Sequence, residues 1–465
     1  LTAAAEGFEF RPEIGSQVSF NRLNLPVTRD PMVAAAGSNT KLSAAQRVAV
    51  PSAIHGRIPE ADRGMPGAHY FAFQAKKGRK LIVDVAAQRY GSALDSHIDV
   101  LDGKGNPIEQ STVRAVAQAF TTLNERNSST TGMRIDKWDD FEVGDFLMIG
   151  REIVQVSLLP RGPDEDVRFE SFPPTRPGSR SMGDAARVAQ FGTSPEAHAV
   201  DEPIYKVEIH PPGSQFSSNG LPLVRLYAAN DDGGPGYGKD SRIEFVPPAD
   251  GEYFVRIRDM QGQGGSQYPY LLSIREPAPD FSLMADPSAP NVPRGSRVPV
   301  MVTAARQDGF NGTIRVKLTG LPSGLTAEEG VIPPGSVSTT LTVAASADAD
   351  VSKAVPFQVR GVAEIAGKPV ERTADPRNSL QMIALVPRAD VEMTAHTREV
   401  VVEAGGQAEV SVSIRRNNGF AGRVPVEVYG MPAYTDIPAF GLNGVLLNET
   451  ETKRTFIINS TGRAE

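Results

Sequence analysis

Apolar and polar positions along the chain alternate with a period of two in short runs, and turn residues separate the runs, as in half-buried β-strands. The pattern sharpens from Val48. Tyr70, Ala72 and Gln74 alternate with Phe71 and Phe73, the turn Lys76-Lys77-Gly78 follows, and Leu81-Ile82-Val83-Asp84-Val85 comes next. Two β-rich runs around a Gly-bearing turn predict a hairpin. Ile98-Asp99-Val100-Leu101 leads into the turn Asp102-Gly103-Lys104-Gly105-Asn106 and then Pro107-Ile108. A second strand-rich block holds Leu223-Val224-Arg225-Leu226-Tyr227, the loop Asn230-Asp231-Asp232-Gly233-Gly234, Ser241-Arg242-Ile243-Glu244-Phe245, Tyr253-Phe254-Val255-Arg256-Ile257 and Tyr270-Leu271-Leu272-Ser273-Ile274. Pro277 and Pro279 then read as a stiff linker.

Residues between these blocks behave differently. The runs 144–150 and 153–156 predict another hairpin, and a polar stretch at about 160–200 is rich in Pro, Arg, Gly and Asp. With little apolar surface to offset ordering entropy, that stretch is expected to be the least ordered or the most partner-dependent. Residues 1–47 show little period, although Asn21-Arg22-Leu23-Asn24-Leu25-Pro26-Val27 reads as an extended edge strand.

An internal repeat follows. Arg306, Gly309, Phe310, Gly312, Gly320 and Pro322 recur as Arg416, Gly419, Phe420, Gly422, Gly430 and Pro432, all at one constant offset. Gly295 and Gly405 share the offset, as do Val300 with Val410 and Val302 with Val412. A period of roughly 100 residues with strand alternation fits tandem immunoglobulin-like sandwiches. The first copy runs on into Pro356-Phe357-Gln358-Val359, and the second shows no counterpart of that strand after Thr455-Phe456-Ile457-Ile458. The expectation is that the sequence continues past Glu465, or that a partner fills the unpaired edge by strand exchange. Leu1 is not an initiator Met, so the chain is also read as processed or as part of a longer precursor.

Composition narrows the class. The 465 residues include 44 Gly and 37 Pro, a level that disfavours long helices and suits strands joined by turns. The length suggests about three domains. A net charge of −7 argues against a general nucleic-acid binder, and no apolar run is long enough for a transmembrane helix. With no Cys, disulfides, thiol catalysis and thiolate metal sites are excluded.

The motifs Tyr70-Phe71-Ala72-Phe73 through Lys77-Gly78, Gly91-Ser92-Ala93-Leu94-Asp95, Asp102-Gly103-Lys104-Gly105, Asn230-Asp231-Asp232-Gly233 and Asp240-Ser241 through Asp250-Gly251-Glu252-Tyr253 form an ordered set. Together they resemble the bacterial pre-peptidase C-terminal domain, over 50–110 and 221–276. The resemblance implies a jelly-roll-type β-sandwich of secreted and surface proteins, often an accessory to an enzyme; some relatives bind calcium and some bind polymers such as collagen. Residues 280–465 are similar to immunoglobulin-like modules of bacterial surfaces. The expected architecture is all-β and modular: an extended segment 1–47, a split sandwich from 48–110 and 221–276, an inserted β-rich subdomain 111–220, an immunoglobulin-like domain 280–386 and a second, shorter one at 390–465.

The acidic loops offer the main candidate chemistry. Asp95, Asp99 and Asp102 lie before the insertion, and Asp231, Asp232 and Asp240 lie after it, with Asn230. If the fold brings them together, hard oxygen ligands converge as Ca2+ requires; otherwise these residues tie their own turns. The six histidines, His55, His69, His97, His198, His210 and His396, show no zinc spacing, and neither Gly-x-Ser-x-Gly nor a Walker loop occurs. Trp138, Tyr90, Tyr237, Tyr268 and Tyr270 are candidates for a sugar platform, or for core plugs. Arg176, Arg180 and Arg187 are a solvated loop face or a seat for an acidic partner.

These readings lead to a non-catalytic secreted, periplasmic or cell-surface protein acting in adhesion or extracellular assembly, as a homo-oligomer or strand-exchange assembly, with a protein or polysaccharide partner. The alternatives are an accessory region of a secreted hydrolase whose catalytic domain lies elsewhere, and a carbohydrate-binding module.

Overall fold

The computed structural model describes residues 7–10, 13–14, 17–18, 23–62, 64–123, 125–128, 132–160, 165–169, 191–193, 196–233, 237–374, 381–397, 399–428, 435–438 and 444–460. Strands dominate, as the short alternating runs require. The helical elements among the described residues are three short 3-10 turns, at Leu42–Ala44, Gln88–Tyr90 and Trp138–Asp140. No helix of the described residues is long and apolar enough to cross a membrane. The chain is all-β and modular, with two compact units divided in sequence near residue 279.

The first unit holds the split sandwich. One five-stranded sheet runs Ala229–Asn230, Ser96–Leu101, Gly251–Asp259, Ala68–Ala75 and Gln46–Arg47. The other runs Arg242–Phe245, Leu81–Ala86, Pro269–Arg275, Ser52–Arg57 and Met32–Ala34. Phe71 and Phe73 face Val83, Val85, Leu272 and Ile274 across one core. Burial of each large apolar side chain is worth roughly 1.5–3 kcal/mol. Phe245 and Tyr253 pack edge to face at 5.2 Å, and the Tyr253 hydroxyl donates to the Ala249 carbonyl at 2.7 Å.

Three expectations change here. The strands around Lys76-Lys77-Gly78 are not a hairpin. Ala68–Ala75 and Leu81–Ala86 belong to opposite sheets, and the turn carries the chain across the core. Its amides pair with the neighbouring crossing: Gly78 N–H donates to the Pro247 carbonyl at 2.9 Å and Lys77 N–H to Asp250 Oδ1 at 2.7 Å. Second, the sandwich starts before Val48, since Met32–Ala34 and Gln46–Arg47 add a parallel edge strand to each sheet. The Gln46 amide clasps these edges, donating to the Ala34 carbonyl at 2.9 Å and accepting from Ala36 N–H at 2.7 Å. Third, Leu223–Tyr227 belongs to the insertion. It pairs with the long strand Glu109–Phe120, with Val113 opposite Val224.

The insertion is a six-stranded antiparallel sheet, ordered Arg168–Phe169, Glu152–Leu158, Phe146–Ile149, Pro203–His210, Glu109–Phe120 and Leu223–Tyr227. Phe146–Ile149 and Glu152–Leu158 form the expected hairpin. One face packs Leu147, Ile149, Val154 and Ile204 beneath Met133, Ile135 and Phe141. The other carries Val113, Ala115, Met148, Ile153 and Val207. Leu23–Pro26, within the expected edge strand, pairs with Gly7–Phe10.

In the second unit the repeat is structural. Asp280–Asp286 and Arg297–Gln307 pair as Val391–Ala395 and Gln407–Arg416 do, at the offset read from the sequence. The offset then lengthens: Arg297 pairs with Ala344, whereas its counterpart Gln407 pairs with Asn459. Thr435–Asp436 still keeps the original offset from Leu325–Ala327, so the extra length falls between Asp436 and Val445. In the first copy Ile314–Thr319 is paired on both edges, by Gly330–Ile332 and Gln358–Ile365. Its counterpart Val424–Val426 is paired only with Val445–Leu447 among the described residues. Among the described residues, twenty buried residues gather in the first copy and eight in the second. Leu283 is 1% exposed, whereas Met393 at the matching position is 55% exposed.

Candidate site at the acidic loops

The acidic loops do meet. Ile98 pairs with Asn230 and Asp99 with Ala229, so the segment after the insertion lies alongside the strand before it. Buried Ser96 and Ser241 join the loops, with their hydroxyls 2.8 Å apart and Ser241 N–H donating to Ser96 Oγ at 2.8 Å. Asn230, 4% exposed, fastens the crossing: its Oδ1 accepts from Arg242 N–H at 2.8 Å, and its Nδ2 donates to the Asp232 carbonyl at 2.9 Å.

The six carboxylates, however, serve different partners. Asp240 is fully buried and holds the Gln88–Tyr90 turn. Its Oδ1 accepts from Gln88 N–H at 2.7 Å, and its Oδ2 accepts from Ala87 N–H and Arg89 N–H at 3.2 Å and from Arg89 Nε at 2.7 Å. Arg89 in turn lies over the Tyr237 ring, 4.2 Å from its centroid. Asp99 accepts from Arg256 Nε at 2.8 Å, with His97 Nδ1 at 3.4 Å. Burial alone would raise the Asp99 carboxyl, but the His97 imidazole and the Arg256 guanidinium outweigh it and hold it below the usual range.

Asp102 ties its own turn, accepting from Lys104 N–H and Asn106 N–H at 2.8 Å each. Burial alone would raise its carboxyl, but the Asn106 and Lys104 donors together outweigh it and keep it below the ordinary value. Asp95 is paired with Lys239. Asp231 and Asp232 lie half-buried in the turn, where the Asp231 carbonyl accepts from Ser241 Oγ at 3.3 Å. Among the described residues no three His, Asp or Glu side chains stand together so as to hold a metal ion. The donor set therefore does not fit Ca2+: each of Asp95, Asp99, Asp102 and Asp240 already answers a protein cation or amide.

The aromatic candidates divide. Tyr270 is buried, with its hydroxyl 2.7 Å from His69 Nδ1, and burial raises it above its ordinary value while lowering His69. Trp138 packs half-buried against the insertion core, and Tyr268 against the sandwich core. Tyr90 and Tyr237 both flank Arg89. Arg176, Arg180 and Arg187, with most of the 160–200 stretch, lie outside the described residues.

A second polar cluster escaped the sequence reading. His198, 1% exposed, lies between Glu152, which is fully buried, and Glu202. Its Nε2 is 3.1 Å from Glu152 Oε2, and its Nδ1 is 3.3 Å from Glu202 Oε2. Ser128 Oγ donates to Glu152 Oε1 at 2.7 Å, and Glu196 N–H donates to Glu152 Oε2 at 3.1 Å. The His198/Glu202 spacing of four was the one local signal; Glu152 is 46 residues from His198.

No family model matches the chain, and no curated protein matches it. Among solved structures it is similar to the FN1–FN3 domains of chicken CNTN1, at 9% identity and a TM-score of 0.16, over 77% of this chain and 95% of that one. It is also similar to a DUF4785 family protein from Legionella pneumophila, at 7% identity and a TM-score of 0.16, over 87% of this chain and 86% of that one. The class the chain's own sheets define is a modular all-β protein.

Proposed function

We propose that this chain is a non-catalytic, secreted or cell-surface modular protein that acts in adhesion or extracellular assembly, with a protein or polysaccharide of the surface as its partner. The observation that carries the reading is the duplicated sandwich. The same Arg and Gly-Phe-x-Gly brace recurs in both copies, and spacer-like duplication of a self-contained β-module suits display at a surface. The ordered motifs of the split sandwich support a pre-peptidase C-terminal kind of module, which fits the same setting. The test adds purified chain to cells of the source organism lacking the gene and measures retention by flow cytometry. Saturable retention, competed by unlabelled chain, is the expected result. Chain that stays in the medium, from cells whose adhesion is unchanged by the deletion, would overturn the reading.

A further inference from the structure

We propose that Glu152, His198 and Glu202 form a proton-held latch in the inserted subdomain, closed at neutral and mildly acidic pH and released as pH rises. A neutral imidazole carries one N–H, yet both ring nitrogens of His198 face carboxylate oxygens, at 3.1 and 3.3 Å. With a neutral ring and two ionised carboxylates, one buried lone pair would oppose another. The arrangement is satisfied only when the cluster holds an additional proton, on the ring or on one of the two carboxyls.

The surroundings reinforce this. The charged groups about the ring are Glu152 from the start of its strand, Glu202 from the following turn and Glu196, whose Oε2 flanks Gly150. From the paired strand Arg126–Asn127, the Arg126 guanidinium is bound to Asp166, and the nearby Ser128 hydroxyl donates to Glu152. Two carboxylates thus face one imidazole. Burial alone would lower His198, but Glu152 and then Glu202 outweigh it and raise it; burial raises Glu152. Both directions have one sign. The folded cluster binds more protons than the unfolded chain; the His198 share is fully present below the unfolded histidine value of about 6.5 and is lost as pH rises through its raised folded value, while the Glu152 share is fully present only below the unfolded carboxylate value of 4.5 and is lost through its own raised value.

The proton holds three pieces together. His198 lies on the short strand paired with Arg126–Asn127, Glu152 opens the second strand of the hairpin, and Glu202 reaches Thr121, whose Oγ1 accepts from Glu202 N–H at 2.9 Å and donates to the Ala199 carbonyl at 2.6 Å. Gly150, at φ +57°, closes the hairpin over the carboxylates, and a Cβ there would stand 2.8 Å from Glu202 Oε1. Deprotonation leaves uncompensated carboxylates under this turn, and the bistable element is the junction of these three segments.

Hydrogen exchange by mass spectrometry on the whole chain, with intrinsic rates divided out, tests the latch across neutral to alkaline pH. In the wild type, peptides covering 126–128, 150–153 and 196–202 should show an opening constant that rises up to tenfold per pH unit, the slope of one proton. Peptides from Ala68–Ala75 and Gly251–Asp259 should stay flat. His198→Gln keeps a polar side chain without a titrating proton and should abolish the slope. Should that variant fail to fold, Glu202→Gln keeps the Glu152 pair and should move the slope to lower pH. Flat wild-type protection, a slope equally present in the sandwich peptides, a slope that survives in His198→Gln, or one unmoved in Glu202→Gln would each overturn the proposal.

Discussion

Asp240 shows how a residue that reads as a ligand becomes a structural anchor. One buried carboxylate accepts three backbone amides and the Arg89 side chain. Truncation would leave Arg89 with its charge uncompensated and three amides unanswered, so Asp240→Ala should destabilise the split sandwich by about 3–5 kcal/mol. Hydrogen exchange of Leu81–Ala86 would measure that loss. Because the neighbouring carboxylates are likewise engaged, millimolar Ca2+ and chelator should give the same melting curve; a Ca2+-dependent rise would show a site by mass action. Asp99 sets an acid limb. Its folded value is depressed, so its contribution is present above the unfolded carboxylate value of about 3.9 and is lost as pH falls through the folded value. Asp99→Asn should therefore flatten the acid side of a stability-against-pH curve, read by urea unfolding. The turn residues were legible in sequence because Asp and Asn bind their own backbone locally. Their cations were not, since Arg89 is 151 residues from Asp240 and Arg256 is 157 from Asp99.

Among the elements, the repeated brace was the most legible feature, because its chemistry is local. Gly309 and Gly419 take φ of +83° and +76°, where a side chain would be strained. At Gly312 and Gly422 a Cβ would stand 2.8 and 2.9 Å from the preceding Phe ring, so glycine lets that ring fold onto the turn. Arg306 donates to the carbonyls of Gly312, Pro333 and Ser336. Arg416 donates to those of Gly422, Asn448 and Glu451, where the last two answer to Pro333 and Ser336 at the longer offset. The same arginine thus joins the same two loops in each copy. Arg306→Met and Arg416→Met should each lower the stability of their own copy by about 2 kcal/mol, the range for hydrogen bonds from a charged donor. Protection of Ser338–Ala345 and Lys453–Ser460 should report them separately, and a loss shared equally by both copies would contradict the assignment. Strand existence was legible too, but sheet membership was not. Period-two alternation fixes which side of a strand is apolar, and Phe71 and Val83 are apolar toward one core from opposite sheets. The edge strands Met32–Ala34 and Gln46–Arg47 are too short for any period to register.

For the first unit as a whole, the question is whether the insertion is needed by the sandwich that carries it. The sandwich core draws on residues from Ile54 to Val100 and from Ala228 to Ile274, and on none of the described residues between Glu109 and Tyr227. The insertion keeps its own apolar faces. At the junction Ala228 N–H donates to the Ile108 carbonyl at 2.9 Å, and Glu109 pairs with Tyr227. The two ends therefore stand at hairpin distance. Replacing 110–226 by Asn-Gly, the dipeptide that suits a two-residue antiparallel turn, closes the gap without lengthening the chain. The ties given up among the described residues include the Asn230 Nδ2 bond to the Gly192 carbonyl at 3.3 Å and the bonds to Glu109 Oε1 from Thr112 Oγ1 at 2.6 Å and Gly213 N–H at 2.9 Å. The shortened protein should fold, keep a β-type circular dichroism spectrum and unfold cooperatively in urea, with a smaller slope in proportion to the surface removed. Its resistance to alkaline pH should also rise to that of the sandwich alone, because Glu152, His198 and Glu202 leave with the insertion. A shortened chain that aggregates or loses protection in Gly251–Asp259 would show instead that the inserted sheet shares its stability with the sandwich.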